Sequence, residues 1–224
     1  MSARRIPIAV FAMTAVILFA INVANAQRRT TAATPPAQAA KLLEVMKLGD
    51  TAKDIELQPL KGEETIKLSQ LTKDGPVALV VLRGYPGYQC PICSRQVAEL
   101  RGKADEFVKL GAKVVLVYPG PGPAESLKKL ANEFLADRDL PKPFVMMVDP
   151  EYSFTNAYEL RWNAPAETSY PSTFVLDTKR VVRFRKISMS HGDRAATKDI
   201  LAILAELHGA AGPAAPATTG AAGR

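Results

Sequence analysis

The chain has 224 residues, which is enough for one folded domain of ordinary size with terminal extensions. A hydrophobic fraction of 47% and a charged fraction of 23% are ordinary for a globular protein. The formal net charge is +7, but the lysines and arginines form no dense run, which argues against a nucleic-acid partner and indicates a solvated basic surface.

The N-terminus has the three parts of a secretory signal peptide. Arg4 and Arg5 precede an apolar run over residues 6–21, and a small-x-small cleavage sequence follows at residues 24–26. We predict that residues 1–26 are a signal peptide and that the protein is exported, to the periplasm or out of the cell. An uncleaved membrane anchor is the alternative, and only then would the protein contact a membrane. In both cases the folded part lies in an oxidising compartment.

The next segment leads into the folded domain. Residues 27–47 are rich in Thr, Ala and Pro at their start and are predicted to form a linker and a short helix. Residues 55–57 and 65–68 then alternate apolar and polar side chains on either side of a Gly-containing turn. This pattern predicts an N-terminal β-hairpin.

The two cysteines of the chain, Cys90 and Cys93, follow an apolar run at residues 76–82 and precede a helical pattern. A cysteine at a helix N-terminus faces unpaired N–H groups and the positive end of the helix dipole, which favours the nucleophilic thiolate. The second cysteine, one turn further on, is close enough to form a disulfide with the first. The strand-loop-Cys-x-x-Cys-helix context predicts a redox pair.

Two structural interpretations of the cysteines are weaker. A disulfide across two intervening residues would close a very short loop and so would stabilise little. A zinc site needs about four ligands, and beyond the cysteines the chain offers two histidines, His191 and His208. We therefore predict no metal and no other cofactor.

The rest of the chain alternates strands and helices. Helices are expected at residues 92–110, 124–136, 151–160 and 195–207, and strands at 77–83, 113–118 and 144–148, with a second hairpin at 172–177 and 181–187. Residues 209–224 are an Ala/Pro/Thr/Gly low-complexity stretch predicted to be a disordered tail. This order predicts one α/β domain over residues 48–208, with a central mixed sheet flanked by helices.

Three stretches resemble the thioredoxin-like superfamily, and within it the AhpC/TSA (peroxiredoxin-like) and TlpA-like branches. Residues 48–57 are similar to the segment that opens the domain in those branches, residues 90–93 (Cys-Pro-Ile-Cys) to the active-site motif, and residues 170–177 to the cis-proline loop and its strand. The resemblance implies a thioredoxin-like fold over residues 48–208. It also implies a cis peptide bond before Pro171, with Pro171 and Tyr170 beside the cysteines, where an extended substrate would pair.

The resemblance leaves two enzyme chemistries open. In thiol–disulfide exchange, Cys90 would attack and Cys93 would resolve the mixed disulfide. Two departures from the thioredoxin pattern are Gln89, where thioredoxin has tryptophan, and the lack of an acidic residue in strand 77–83. Exchange is the preferred prediction, with protein thiols and disulfides as substrates and an unidentified thiol as electron donor.

A thiol peroxidase is the alternative, with Cys93 attacking peroxide and Cys90 resolving. Residues 86–93 resemble the peroxiredoxin pattern Pro-x-x-x-Thr-x-x-Cys, but Cys90 replaces the threonine and Pro171 replaces the peroxidase arginine. Arg83 and Arg194 are the candidates to supply the missing positive charge. A third hypothesis is a non-enzymatic copper-binding protein that uses both cysteines and His191.

Several residues near the cysteines are predicted to support the reaction. Pro86 and Tyr88, by their proximity in sequence, are predicted substrate contacts together with Tyr170 and Pro171, and Arg83 is a predicted supporting residue. Trp162 and the pair Met146-Met147 are expected to pack in the core.

Overall fold

The structure is a computed structural model that describes residues 34–211. Within this range the first half of the chain forms helix α1 (Pro36–Leu43), the strands β1 (Glu56–Pro59) and β2 (Ile66–Lys67), helix α2 (Leu68–Thr72), strand β3 (Val77–Val81) and the helices α3 (Pro91–Arg101) and α4 (Ala104–Lys109). The second half forms β4 (Lys113–Gly120), α5 (Ala124–Leu135), β5 (Phe144–Pro150), α6 (Ser153–Ala157), β6 (Ser172–Leu176), β7 (Val182–Ile187) and α7 (Thr197–Ala211).

The seven strands of the described range form one mixed sheet in the order β2-β1-β5-β4-β3-β6-β7. Its centre is parallel, since β3 pairs with β4 and β4 pairs with β5 in the same direction. The remaining pairs are antiparallel, so the hairpins β1–β2 and β6–β7 lie at the two edges. The predicted α/β class, the mixed sheet and the N-terminal hairpin are confirmed.

The central strands are continuous apolar runs because both faces of the sheet are covered. All five residues of β3 are buried, and seven of the eight residues of β4 are buried. Strands enclosed on both faces lose the alternation of a half-exposed strand and become apolar at every position. Met146, Met147 and Trp162 are all buried, as expected.

Several predicted boundaries differ from the structure. The helix expected over residues 92–110 is two helices, because α3 ends at Arg101 with Gly102 as its C-cap and α4 begins at Ala104. Glycine is the weakest helix former after proline, so a break at this position is inexpensive. The helical segment expected over residues 151–160 is confined to α6. The last helix extends to Ala211, into the expected tail.

Only some of the predictions for the two ends of the chain fall on residues that the structure describes. The signal peptide predicted for residues 1–26 and most of the predicted tail lie outside the described residues. Helix α1 falls where the linker and short helix were expected and starts at Pro36, which suits the first turn because proline lacks the N–H that a helix start leaves unpaired. Among the helices of residues 34–211, none has the length and apolar content needed to cross a membrane.

Candidate functional site: a buried cysteine pair beside an arginine–glutamate network

The loop that carries the cysteines is attached to the end of the neighbouring strand β4. Beyond β3, the N–H of Leu82 donates to Val117 O at 2.9 Å and the N–H of Tyr85 donates to Pro119 O at 3.1 Å. Gly84, between them, has φ +69°, and a Cβ at this position would lie 1.7 Å from Pro119 O. Only glycine fits this close approach of two backbones. The start of the cysteine loop is therefore determined by backbone contacts.

Gln89 attaches the other end of the loop. Its Oε1 accepts a hydrogen bond from the Tyr118 hydroxyl at 2.7 Å, and its Nε2 donates to Leu130 O at 2.9 Å. These contacts connect the residue before Cys90 to β4 and α5. Gln89 thus holds the loop by hydrogen bonds at the position where the thioredoxin pattern has tryptophan.

Cys90 is the N-cap of α3 and Cys93 lies in its first turn. The Sγ of Cys90 accepts a hydrogen bond from the N–H of Cys93 at 3.4 Å, and Pro91 occupies the first helical position. Both cysteines are free thiols and both are buried, with 2% and 1% of their surfaces exposed. The two cysteines thus lie at a helix N-terminus, as predicted, and their role as a redox pair stays a prediction.

The two thiols have opposite electrostatic environments. The side-chain hydrogen bond from Cys93, the Cys93 N–H and the charges of Arg194 and Arg83 lower the pKa of Cys90 to about 5, against the opposing effect of burial. The hydrogen bond to Cys90 and then burial raise the pKa of Cys93 well above its usual value. The surroundings therefore favour the thiolate at Cys90 and the protonated thiol at Cys93.

Arg83 is a buried cation two residues after β3, and only 2% of its surface is exposed. Its Nε donates to Glu167 Oε2 at 2.7 Å and its Nη2 donates to Ala166 O at 2.6 Å. Nη1 donates to the hydroxyl of Tyr88, and the guanidinium carbon lies 5.0 Å from the centre of the Tyr88 ring. The N–H of Arg83 also donates to Cys93 Sγ at 3.4 Å. The predicted supporting residue thus contacts the cysteine pair through its backbone.

Arg194 approaches the same sulfur from the loop between β7 and α7. Its Nη2 lies 3.9 Å from Cys93 Sγ. The neighbouring His191 interacts through Nε2 with Glu167 Oε1 at 2.8 Å, and Asp193 forms an ion pair with Lys186 at 2.6 Å. Of the two candidate arginines, Arg194 directs its guanidinium at a cysteine, whereas the guanidinium of Arg83 is bonded to Glu167, Tyr88 and Ala166.

The predicted proline loop is buried and its geometry differs from the expectation. The peptide bond before Pro171 is trans, so the predicted cis bond is wrong; the cis X-Pro bond lies before Pro143. The Tyr170 N–H donates to Leu160 O and Pro171 O accepts from the Ser188 N–H, both at 2.8 Å. An extended, paired backbone on both sides of the bond is compatible with the trans form, which X-Pro bonds favour intrinsically.

The two residues of this loop do not form an open surface. Tyr170 is 1% exposed and stacks on Trp162, with 4.6 Å between the ring centres and 8° between the planes. Pro171 is buried as well. By contrast, Tyr88 is 45% exposed and Pro86 is half-buried, so these two predicted contacts border solvent near Cys90. Substrate binding at all four residues stays a prediction.

The copper hypothesis finds no support in the geometry. In the part of the chain that the structure describes, no three His, Cys, Asp or Glu side chains come together as a metal site. His191 directs Nε2 to Glu167. The three-ligand copper site of this hypothesis, with both cysteines and His191, is therefore not assembled.

Sequence reasoning did not single out Glu167. The signal that points towards it is Arg83, a cation at the end of a continuous apolar run, because a buried cation requires an anionic partner. The chain has 22 acidic residues, and nothing in their pattern shows which of them folds against Arg83.

Comparison with known proteins agrees with this fold. The AhpC/TSA family model matches residues 48–185. Peroxiredoxin Bcp of Bacillus subtilis is 30% identical over 115 residues, which are 51% of this chain and 65% of that protein, so just under two thirds of the relative is matched.

Solved structures give the same picture. Peroxidoxin BcpB of Mycobacterium tuberculosis is 27% identical, with a TM-score of 0.56 over 72% of this chain and 98% of that one. A candidate thiol:disulfide interchange protein DsbE of Chlorobium tepidum, 21% identical, has a TM-score of 0.52 over 73% of this chain and 98% of its own, which is a likeness of fold alone. With its sheet order, its helix-capping cysteine and the family match over most of the folded part, this chain belongs to the AhpC/TSA family of peroxiredoxin-like proteins with a thioredoxin-like fold.

Proposed function

We propose that this protein is a thiol–disulfide oxidoreductase in which Cys90 attacks and Cys93 resolves. The observation that carries the proposal is the division of roles within the pair. The environment of Cys90 favours the thiolate, whereas the pKa of Cys93 is raised and its thiol donates to Cys90. A nucleophile ionised at neutral pH beside a protonated partner suits disulfide exchange.

The proposed reaction reduces a substrate disulfide. The Cys90 thiolate attacks one sulfur of the substrate, which forms a mixed disulfide and releases the other substrate sulfur as a thiolate. Cys93 then loses its proton and attacks Cys90 Sγ, which releases the second substrate thiolate and leaves a Cys90–Cys93 disulfide. Two electrons pass to the substrate, and an external thiol donor must restore the reduced pair.

Access to Cys90 requires a local movement. The sulfur is almost entirely buried, and the loop of residues 84–89 lies directly before it. A protein disulfide reaches Cys90 only when this loop or a neighbouring one shifts. The exposed Tyr88 and the half-buried Pro86 would then be the first side chains that a substrate meets.

A thiol peroxidase is the second candidate, and the position of Arg194 favours it. A guanidinium 3.9 Å from Cys93 Sγ can stabilise the negative charge that develops when a thiolate attacks a peroxide. Cys93 would become a sulfenic acid and the peroxide would leave as water or an alcohol; Cys90 would then condense with the sulfenic acid and release water. The peroxiredoxin relative also favours this candidate. The raised pKa of Cys93 argues against it.

One experiment separates the two candidates. The reduced Cys93→Ser and Cys90→Ser proteins are mixed with a disulfide substrate and, separately, with hydrogen peroxide, and the products are identified by mass spectrometry. Exchange predicts a mixed disulfide trapped on Cys90 in Cys93→Ser, and a peroxide reaction no faster than that of a free thiol. A sulfenic acid that forms on Cys93 of Cys90→Ser within seconds would instead assign the peroxidase.

We further propose that the protein is exported, on the pattern of residues 1–26. N-terminal sequencing of the protein purified from its host checks this proposal. A mature chain that starts at Gln27 is expected, and an intact Met1 in the soluble cytosolic fraction would contradict it.

A further inference from the structure

The carboxylate of Glu167 connects two separate parts of the cysteine site. It lies in the loop between α6 and β6, and 7% of its surface is exposed. Oε2 accepts from Arg83 Nε at 2.7 Å and Oε1 bonds to His191 Nε2 at 2.8 Å. Each oxygen thus has its own partner, and the partners belong to segments more than a hundred residues apart in sequence.

The first segment is the start of the cysteine loop. Glu167 accepts a hydrogen bond from the guanidinium of Arg83, and the backbone N–H of Arg83 donates to Cys93 Sγ. The guanidinium in turn holds Tyr88, two residues before Cys90. Together with the backbone contacts to β4, the Arg83–Glu167 bond therefore helps to hold this loop relative to the sulfurs.

The second segment is the loop between β7 and α7. His191 bonds to Glu167, and three residues later Arg194 places its Nη2 3.9 Å from Cys93 Sγ. Asp193, between them, pairs with Lys186 on β7. The contact between His191 and Glu167 joins this loop to the buried part of the site, where the His191 ring also lies 5.3 Å from that of Trp162, so it helps to keep Arg194 over the sulfur.

We propose that Glu167 is a positioning residue whose carboxylate holds the Arg83 segment and the Arg194 segment together, so that both face the cysteine pair. The inference rests on the proposed function and adds to it the residue that organises the site. Stability alone is a weak reason for such an arrangement, because a buried ion pair stabilises a fold no better than apolar residues of similar volume.

The direction in which the pKa of Cys90 changes when the Glu167 carboxylate is removed distinguishes a positioning role from a purely electrostatic one. A negative charge near a thiol disfavours the thiolate, so a carboxylate that acted by charge alone would raise the pKa of Cys90, and its removal would lower that pKa. A carboxylate that acts by holding Arg83 directly and the Arg194 segment through His191 has the opposite effect, since its removal releases the cations that favour the thiolate.

The test uses the reduced full-length protein and the variants Glu167→Leu, Glu167→Gln and His191→Ala. Glu159→Gln is the matched control, because it removes a carboxylate from a surface ion pair with Lys41. The rate of alkylation by iodoacetamide is measured from pH 4 to 9, and mass spectrometry of the peptides assigns it to Cys90. Thermal unfolding shows which variants are folded.

We expect Glu167→Leu to raise the pKa of Cys90 by about one unit, which slows alkylation at pH 5 about fivefold. Glu167→Gln retains one acceptor oxygen and should recover part of the rate. His191→Ala releases only the Arg194 segment and should give a smaller rise; it carries the test if Glu167→Leu does not fold. Glu159→Gln should match the parent.

The outcomes distinguish the inference from the proposed function. If the parent shows a low Cys90 pKa but the folded Glu167 and His191 variants leave it unchanged or lower it, Glu167 is not a positioning residue and the proposed function stands. If Cys90 of the parent titrates like a free cysteine, near pH 8.5, the proposed nucleophile itself is wrong.

Discussion

The backbone N–H of Cys93 points at the Sγ of Cys90 across the first turn of α3, with 3.4 Å between nitrogen and sulfur. The Cys93 thiol is the first cause of the lowered pKa of Cys90. Cys93 therefore favours ionisation of the Cys90 thiol before any substrate is present. The reactivity of Cys90 should consequently depend on whether the side chain at position 93 can donate a hydrogen bond.

The first prediction concerns this dependence. In the reduced parent, alkylation of Cys90 should rise with pH around a midpoint near 5. Cys93→Ala removes the thiol donor and should raise that midpoint, whereas Cys93→Ser retains a hydroxyl donor and should raise it less. Iodoacetamide rates measured against pH check both variants. Equal midpoints for Ala and Ser would show that the side-chain donor is unimportant.

The second prediction follows from linkage in the reduced protein. The pKa of Cys90 is lower in the folded state than in the unfolded state, so ionisation of this thiol favours folding. The stabilisation is complete above the unfolded pKa of about 8.5 and is lost as the pH falls through the folded value. The difference in unfolding free energy between the parent and Cys90→Ser should therefore grow from pH 5 to pH 8. Urea titrations at both pH values measure it, and a constant difference would contradict the prediction.

The third prediction concerns the buried pair Arg83–Glu167, whose side chains are 3% and 4% exposed. Arg83→Met leaves a carboxylate without its main partner and should lower the unfolding free energy by about 3–5 kcal/mol. Arg183→Met breaks the surface pair with Asp177 and should cost less than about 1 kcal/mol. Chemical denaturation of both variants makes the comparison, and similar losses would mean that the burial of Arg83 has no energetic consequence.

The fourth prediction uses two glycines of the cysteine loop. Gly84→Ala forces a left-handed backbone and a clash with Pro119 O, and should destabilise the protein by more than about 3 kcal/mol. Gly87 also has a positive φ, +105°, but a Cβ there meets nothing within 4 Å. Gly87→Ala should therefore cost only about 1–2 kcal/mol. Denaturation midpoints of both variants measure the two losses of stability. A larger loss in Gly87→Ala than in Gly84→Ala would refute the prediction.

The fifth prediction assigns a role to Arg194. Arg194→Gln removes the charge near Cys93 Sγ, so it should raise the pKa of Cys90 and slow any oxidation of Cys93 by peroxide about tenfold. Arg101→Gln, at the far end of α3, is the control and should behave as the parent. Stopped-flow oxidation of the reduced proteins provides the rates. An unchanged peroxide rate in a folded Arg194→Gln would remove the main structural argument for the peroxidase.

Patterns within short stretches were enough for much of the fold. The apolar runs predict β3 and β4 correctly, the alternation predicts the N-terminal hairpin, and the helical pattern after Cys90 predicts the start of α3. The order of the strands and helices then predicted the mixed sheet. The split between α3 and α4 was missed because a single glycine can either lie inside a helix or end it. The trans bond before Pro171 was missed because the isomer depends on the backbone pairing of Tyr170 with Leu160 and of Pro171 with Ser188.

The cysteine pair, its place between a buried strand and a helix, and hence the thiolate-favouring N-cap could be read from the sequence, because these depend on residues that are neighbours along the chain. The charges that surround the pair depend instead on long-range contacts of the folded chain. Arg83 and Glu167 are 84 positions apart, and Arg194 and Cys93 are 101 positions apart. Such contacts between residues far apart in sequence form because the sheet brings loops beside β3, β6 and β7 to one place. No local pattern of residues predicts that arrangement.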